Sequence, residues 1–210
     1  MDNTHHQDHW QRTYQTKAEH EVSWHQDLPE PSLTLVTTVA ASLSSPIIDI
    51  GGGTSHLVDY LVQRGYGRVA VLDLSSAALA QAQARLGERA AAVDWIAADV
   101  TTWTPSRLYE VWHDRATFHF MVSEADRSAY LACLKQALAP DGHAIIGTFA
   151  LDGPERCSGL PVMRYDPASL AEALGRELAL VSSQHHLHRT PWGAEQAFQF
   201  SVFRRHSETS

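Results

Sequence analysis

Five short runs rich in apolar residues divide the middle of the chain, and each ends near glycine or polar residues. Runs of four to seven residues with this content of valine, isoleucine and leucine are typical of strands buried on both faces of a parallel sheet. Between the runs, apolar residues recur at the spacing of one helix face. The alternation predicts a doubly wound α/β fold. The predicted strands are Ile47–Ile50, Val69–Asp73, Val93–Ala97, Leu108–His113 and His143–Phe149.

The segments between these strands carry helix start and stop signals. A serine or aspartate at the start can cap free backbone N–H groups, and a glycine at the end can adopt the left-handed backbone that closes a helix. A proline–aspartate–glycine sequence at residues 140–142 predicts a turn. The predicted helices are His56–Gln63 before Gly65, the segment from Ser75 or Ser76 to Leu86, Ser123–Leu138 with Asp126 in its capping box, and Asp166–Gly175.

Two longer runs near the C-terminus, Glu177–His188 and Gln196–Arg204, predict a pair of strands. The turn sequence Arg189–Gly193 joins them, so they form an antiparallel hairpin. The complete prediction is a seven-stranded, mostly parallel sheet with an antiparallel C-terminal hairpin. Strand alternation places His186 and His188 on the same face. Two imidazoles without an evident third ligand do not predict a metal site.

The N-terminal 45 residues predict a helical cap on this sheet. Trp10 and Tyr14 share one face of a short helix because they are four residues apart. Aromatic and polar residues mix in Val22–Pro29, which either covers a ligand or packs on the sheet edge. Leu33–Leu43 predicts a further helix that leads into the first strand. The predicted division is a cap of residues 1–45, a main body of residues 46–205 in the same domain, and a frayed tail of residues 206–210.

Composition excludes several function classes. The chain has 210 residues, 44% of them hydrophobic, and a net charge of -8, so it predicts one globular domain without a basic surface for nucleic acid or anionic lipid. Its two cysteines, Cys133 and Cys157, cannot form a disulfide framework. No apolar run approaches the ~20 residues that cross a bilayer. These features predict a cytoplasmic protein with no membrane or nucleic-acid partner.

A glycine-rich turn follows the first predicted strand. Gly51-Gly52-Gly53 links that strand to the next helix, which is the arrangement of a nucleotide site. The dinucleotide fingerprint requires a third glycine where His56 stands, and no phosphate-loop lysine pattern occurs in the chain. The turn therefore favours a ligand that contains an adenosine but no phosphate groups.

Acidic residues end the second and third predicted strands. Asp73 lies 24 positions after Asp49, close to the ~20-residue separation at which an acid meets a ribose. Asp99 follows the third strand, and its carboxylate can accept a hydrogen bond from the amino group of an adenine. Because parallel strands end at one edge of a sheet, these side chains are expected to share one crevice.

As a set, these strand-end motifs resemble those of the class I S-adenosylmethionine-dependent methyltransferases, which have a Rossmann-like fold. The resemblance covers residues 47–149 and implies S-adenosylmethionine as cofactor and S-adenosylhomocysteine as product. It implies that the turn from Asp49 through Gly51, Gly52 and Gly53 meets the methionine part of the cofactor. The other cofactor contacts that it implies are Asp73 at the ribose, Asp99 with Val100 at the adenine, and in addition Leu74 and Trp24.

Two further resemblances imply different methyl acceptors. The opening Trp10, Tyr14 and Trp24 are similar to a methyltransferase-like group that includes protein lysine methyltransferases. The sequences Leu187–Thr190 and Cys157–Pro161 are instead similar to tellurite-type small-molecule methyltransferases. We interpret the acceptor as a small molecule that is methylated on a thiol or other chalcogen, on a nitrogen atom or on an oxygen atom. The competing hypothesis is a protein lysine acceptor.

The end of the fourth predicted strand supplies the candidate catalytic residues Asp114, Arg115 and His119. A histidine can take a proton near neutral pH, which makes His119 the candidate base, although it could simply pack in the aromatic surface around it. The loop at residues 150–166 is expected to form a lid or a substrate wall, with Cys157 in the wall rather than as a nucleophile. The sequence also leaves open a nicotinamide oxidoreductase and a non-catalytic adenosine-binding module.

Overall fold

The structure is a computed structural model, and it describes residues 3–206 of the chain. A seven-stranded sheet forms its centre, and a short two-stranded hairpin lies beside the sheet. The expected tail falls almost wholly on residues 207–210, which lie outside the described residues. The strands are β1 (Ile47–Ile50), β2 (Val69–Asp73), β3 (Val93–Ala97), β4 (Tyr109–Arg115), β5 (Leu138–Phe149), β6 (Arg156–Cys157), β7 (Leu160–Pro161), β8 (Leu178–Arg189) and β9 (Glu195–Arg205).

The strand order confirms the predicted fold class. It is β3-β2-β1-β4-β5-β9-β8, with β1 parallel to both β2 and β4, and with β9 antiparallel to β5 and β8. The chain moves outward from β1 to β3 and then returns to the other side of β1 with β4. A crevice opens at the carboxyl ends of the strands where such a reversal occurs. The glycine turn after β1 lies at this position.

Helices cover both faces of the sheet. The hydrophobic core is divided into two clusters, one that includes residues of the second, third and fourth helices of the chain, and one that includes residues of the fifth and sixth. The predicted caps are confirmed, because the side chains of Ser75, Ser123 and Asp166 accept hydrogen bonds from the backbone of the first turns. The helices are α1 (Asn3–Thr16), α2 (Ser32–Val39), α3 (Leu57–Gln63), α4 (Ser76–Leu86), α5 (Glu124–Ala137) and α6 (Pro167–Leu174).

Strands β4 and β5 extend beyond their predicted bounds. β4 continues beyond His113 to Arg115, which brings Asp114 and Arg115 into the sheet. β5 begins at Leu138, and the turn expected at residues 140–142 is a bulge within it. There the register passes from Tyr109 opposite Leu138 to Val111 opposite His143. The extra residues loop out of the ladder, as a β-bulge does.

The N-terminal cap packs on the start of α4. The side-chain oxygen of Gln11 accepts a hydrogen bond from the Ser75 hydroxyl at 2.9 Å, and the Gln81 amide donates one to the Tyr14 carbonyl at 2.5 Å. These bonds fix α1 above the carboxyl end of β2. The division into a cap and a main body stays a prediction.

Candidate functional site

A cavity opens at the carboxyl ends of the central strands, where the predicted motifs converge. Its floor is the glycine turn after β1, its sides come from the ends of β2, β3 and β4, and its cover comes from the N-terminal cap. Most of the predicted site residues line it, namely Trp24, Asp49, Gly51, Gly52, Asp73, Leu74, Asp99, Val100 and Arg115. Gly53, Asp114 and His119 are not among the lining residues.

The glycine turn requires the absence of side chains. Gly51 and Gly53 have φ angles of +64° and +50°, in the left-handed region that favours glycine. A Cβ atom on Gly52 would lie 2.6 Å from Val71 Cγ1, and one on Gly53 would lie 2.7 Å from the Tyr14 hydroxyl oxygen. The turn therefore lies directly against β2 and the cap, and it leaves backbone exposed to the cavity.

Asp73 ends β2 and is nearly buried, with 6% of its surface exposed. Its Oδ1 atom accepts a hydrogen bond from the Ser75 backbone N–H at 2.7 Å. Burial raises the pKa of this carboxyl to about 7 and outweighs the hydrogen bonds from the N–H groups of Ser75 and Gly53, which lower it. Additional hydrogen-bond donors stabilise the ionised form of a buried carboxylate, so Asp73 can bind the hydroxyl groups of a ligand.

Asp99 shapes the far end of the cavity. Its Oδ1 atom accepts hydrogen bonds from the Thr101 backbone N–H at 2.8 Å and from the Thr101 hydroxyl at 2.7 Å. The apolar side chains of Leu74 and Val100 line the cavity beside it. An acidic group next to apolar walls suits a flat heterocycle that carries an amino group.

A buried hydrogen-bond chain that the sequence did not reveal fixes the base of the cavity. His113 on β4 donates from Nδ1 to the carboxylate of Asp49 at 2.6 Å, and its Nε2 pairs with the Ser32 hydroxyl at 2.8 Å. All three side chains are at most 3% exposed. The chain connects β1, β4 and α2, and Ser32 does not line the cavity. These residues therefore position Asp49, and a nucleophilic serine is not indicated.

The cover of the cavity is aromatic. The ring of Trp10 lies 5.6 Å from that of Trp24 and 5.2 Å from that of Phe120, centroid to centroid, and Tyr14 lies 6.1 Å from Trp24. All four rings line the cavity. The sequence signal at Trp10 and Tyr14 was the four-residue spacing, which indicated only a packing face. The structure shows that this face closes the site.

Two contacts anchor the segment at residues 22–29 over the cavity. The Nε2 atom of His188 donates to the Ser23 carbonyl oxygen at 2.6 Å, and Arg115 Nη1 donates to the Trp24 carbonyl oxygen at 3.0 Å. Burial lowers the pKa of His188 to about 4, so this imidazole is neutral at physiological pH. Of the two roles considered for the segment, covering the ligand site is the one that the structure supports.

His119 is placed differently from the expectation. It lies in the single helical turn at Phe118–Phe120, it is completely buried, and its ring packs 4.5 Å from Phe120 and 4.9 Å from Phe149. Neither ring nitrogen has a hydrogen-bond partner among the described residues. Burial lowers the pKa of His119 to about 3. Burial, weak proton binding and absence from the cavity lining disfavour His119 as the general base and agree with the alternative that it packs in the aromatic surface; its catalytic role stays a prediction.

Asp114 does not line the cavity, and its contacts are those of a structural residue, so its catalytic assignment stays a prediction. It is fully buried and accepts hydrogen bonds from the Tyr130 hydroxyl at 2.5 Å and from the backbone N–H groups of Thr117 and Phe118 at 2.8 and 3.0 Å. Burial raises the pKa of Asp114 to about 7 despite these bonds. The carboxyl thus holds the turn after β4 that faces the cavity.

Arg115 is the charged residue at the end of β4 that does line the cavity. Its Cζ atom lies 5.6 Å from the ring centroid of Phe198. Burial lowers the pKa of Arg115 to about 10, and the same burial raises the pKa of Cys157, which lines the cavity too, to about 12. Arg115 is therefore charged and Cys157 is a neutral thiol at physiological pH. The position of Cys157 agrees with the expected wall formed by the loop at residues 150–166.

The histidines of β8 contact different partners. His188 bonds to the Ser23 backbone, and His185 lies on the other face, 3.4 Å from Asp152. Within residues 3–206, the group whose ligand atoms lie close enough for an ion is instead Glu19, His25 and His56 at the rim, with all of these atoms within 4.8 Å of one another. His56 already pairs with Glu19 at 2.7 Å there.

Comparison with known proteins identifies the central part of the chain. Residues 47–142 match the family model described as a methyltransferase domain. None of the curated proteins compared matches the sequence. Within residues 3–206, no helix is both long enough and apolar enough to cross a membrane.

Solved structures share the fold at low sequence identity. One concerns the conversion of a disulfide bond into a thioacetal group during echinomycin biosynthesis, with a TM-score of 0.75, 19% identity, and 97% of this chain and 94% of that chain covered. A Burkholderia thailandensis 1,6-didemethyltoxoflavin-N1-methyltransferase with bound S-adenosylhomocysteine has a TM-score of 0.68, 21% identity, and coverages of 98% and 86%. A TehB-like methyltransferase from Corynebacterium glutamicum has a TM-score of 0.64, 18% identity, and coverages of 97% and 100%.

Proposed function

We propose that this chain transfers a methyl group from S-adenosylmethionine to a small-molecule acceptor. The expected resemblance to class I methyltransferases is confirmed by the match of residues 47–142 to a methyltransferase domain and by the sheet. The observation that carries the proposal is the convergence of the glycine turn, Asp73 and Asp99 on one cavity.

Each part of the cofactor has a matching part of the cavity. The Asp73 carboxylate would accept hydrogen bonds from the two ribose hydroxyls, and Asp99 with Val100 and Leu74 would hold the adenine. Gly51 and Gly52 would hold the methionine part, because the absence of side chains there allows close approach to the backbone. The Burkholderia thailandensis structural neighbour holds bound S-adenosylhomocysteine, which supports the same cofactor here.

The aromatic cover favours the transfer itself. Methyl transfer from a sulfonium is an in-line displacement, in which the acceptor lone pair forms the new bond to carbon as the carbon–sulfur bond breaks and its electrons return to sulfur. The rings of Trp10, Tyr14, Trp24 and Phe120 exclude water from this step and attract a cation. Much of the acceleration then comes from holding the donor and acceptor in line.

Three of the groups that line the cavity, Tyr14, Cys157 and His113, are poorly suited to remove a proton from the acceptor, whereas His6 lines the cavity too. Burial raises the pKa of Tyr14 well above its usual value and that of Cys157 to about 12, so both keep their protons at neutral pH. His113 has partners on both ring nitrogens. These three groups favour an acceptor that arrives with an available lone pair, such as a thiolate, another anion or a neutral amine, and His6 is the lining histidine that could take a proton from any other acceptor.

Titration calorimetry with S-adenosylhomocysteine tests the cofactor assignment. We expect one molecule to bind per chain, and NAD, which carries a pyrophosphate, not to bind. Incubation of a cell extract with S-adenosylmethionine labelled in its methyl group then reports the acceptor. Label in the small-molecule fraction is expected, whereas one labelled protein band would favour a protein lysine acceptor. Binding without any transfer would favour a non-catalytic module, and the absence of cofactor binding would contradict the proposal.

The affinity for S-adenosylhomocysteine should depend on pH because of Asp73. Ribose hydroxyls donate to the ionised carboxylate, and the pKa of about 7 means that the free protein must lose a proton before it binds below that pH. The affinity should therefore be constant above pH 8. Below pH 7 it should decrease with falling pH, by an amount that approaches about tenfold per pH unit. Calorimetry between pH 5.5 and 8.5 (about 1.5 units to either side of that pKa) measures this slope. An affinity that does not change over this range would remove Asp73 from the site.

A further inference from the structure

One buried cationic nitrogen faces the cavity without a partner. Arg115 donates from Nη1 to the Trp24 carbonyl oxygen, but its Nη2 atom is buried and has no hydrogen-bond partner among the described residues. A guanidinium group has five N–H donors, and a buried donor without an acceptor is costly. Such an arrangement is maintained when a ligand supplies the acceptor.

Among the described residues, none accepts a hydrogen bond from Nη2 of Arg115. The ionisable groups whose charge acts on Arg115 are Asp49, Cys157 and Tyr14. Asp49 already accepts from His113, while Cys157 and Tyr14 stay protonated because burial raises their pKa values. No anionic group of the described residues therefore bonds directly to Nη2 of Arg115. An anionic group of a ligand would supply the acceptor that this nitrogen lacks.

The walls around this charge are apolar. The rings of Trp24, Phe149 and Phe198 line the same cavity, and the guanidinium lies over the ring of Phe198. Aromatic walls around one cation select a molecule with an apolar or aromatic body and one anionic group, because both parts find complementary surface.

We propose that Arg115 binds an anionic group, a carboxylate or a chemically similar anion, of an apolar methyl acceptor. This inference rests on the proposed function and names the substrate class of the same site. Arg115 ends β4, the strand that follows the cofactor strands in the chain and lies on the opposite side of β1 from them. It therefore stands on the acceptor side of the glycine turn, and it contacts the acceptor's anion rather than taking its proton.

The carboxylate of the cofactor's methionine part is a second possible source of the anion, and a first set of measurements distinguishes the two. The affinities of S-adenosylhomocysteine and of 5′-methylthioadenosine, which lacks the carboxylate, are measured by calorimetry for wild type, Arg115→Gln, Arg115→Lys and the control Arg64→Gln, whose arginine is exposed. We expect the ratio of the two affinities to change less than threefold in every variant, because loss of the bond from Arg115 to the Trp24 carbonyl would affect both ligands alike. A loss of tenfold or more for S-adenosylhomocysteine alone in Arg115→Gln would assign Arg115 to the cofactor and overturn the proposal.

A second set of measurements tests the acceptor subsite with defined probes. Benzoate, phenylacetate and 3-phenylpropionate, each with its uncharged amide, are titrated into the protein saturated with S-adenosylhomocysteine. We expect at least one carboxylate to bind at least tenfold more tightly than its amide, and Arg115→Gln, but not Arg64→Gln, to abolish that preference. Equal binding of acids and amides, or a preference that survives Arg115→Gln in a folded variant, would overturn the inference.

The two proposals fail in different ways. If wild type does not bind S-adenosylhomocysteine, the proposed function itself is wrong. If it binds the cofactor product but shows no preference for carboxylates, only the assignment of Arg115 is wrong. Arg115→Lys keeps the charge but loses the forked geometry, so it should retain part of the preference, which a merely structural role for Arg115 does not predict.

Discussion

Replacing Asp73 with alanine should lower the affinity for S-adenosylhomocysteine at least ~100-fold. The carboxylate is expected to accept both ribose hydroxyls, and hydrogen bonds to a charged group contribute about 1.5–3 kcal/mol each. The loss of two such bonds amounts to about 3 kcal/mol or more, and each 1.4 kcal/mol is about a factor of ten. Calorimetry at pH 8, where Asp73 is ionised, measures the change.

The matched control for this variant is Asp94→Ala. Asp94 lies on the neighbouring strand β3 and pairs with Arg107, and it does not line the cavity. Its replacement removes the same charge without removing a ligand contact, so the affinity should stay within about threefold. The melting temperatures of both variants check that they remain folded. An unchanged affinity in Asp73→Ala would show that Asp73 does not hold the ribose.

Replacing Asp114 with alanine should destabilise the protein by about 3–5 kcal/mol. Three buried donors would lose their acceptor, from Tyr130, Thr117 and Phe118, and each buried donor without a partner costs about 1–3 kcal/mol. Against a total stability of about 5–15 kcal/mol for a typical domain, this is a large loss. Equilibrium unfolding in urea measures it.

Two comparisons separate this loss from a general effect of removing an acid. Asp166→Ala removes an exposed helix cap and should have a smaller effect. Tyr130→Phe removes one of the three donors to Asp114 and should fall between the two. If Asp114→Ala unfolds at the same urea concentration as wild type, then its hydrogen bonds do not hold the turn after β4.

The cofactor side of the site was predictable because it depends on strand ends. In a parallel sheet, the carboxyl ends of successive strands meet at one edge, so the order of the chain places the glycine turn, Asp73 and Asp99 together. The local signals are short-range: an apolar run, a glycine or an acid, and a capped helix. These signals can be recognised without knowledge of contacts between residues that are far apart in the sequence.

The acceptor side was predicted less well because it lies in irregular backbone. Arg115 is the last residue of β4 and His119 follows that strand. The sequence favoured His119 as the residue that faces the crevice. The backbone instead turns at Ala116, whose φ angle is +71°, and the short helical turn that follows directs His119 into the core. No periodicity governs such a segment, so the sequence did not reveal which side chain faces the ligand.

The cover and the base of the cavity depend on contacts between distant parts of the chain. Gln11 and Ser75 are 64 residues apart, and their hydrogen bond docks the first helix so that Tyr14 faces the cavity. His113 and Ser32 are 81 residues apart and meet through a buried bond. Spacing along the chain cannot foresee either pair.

The sequence by itself determined the sheet, the order of its strands along the chain and the edge at which the candidate cofactor residues meet. Hydrophobic period, glycine conformation and helix caps act over a few residues, and they are sufficient for those features. Only the tertiary structure decided which side chains at that edge face the cavity. It places Arg115 there and buries His119 and Asp114, because the exposure of a side chain depends on elements that pack around it from elsewhere in the chain.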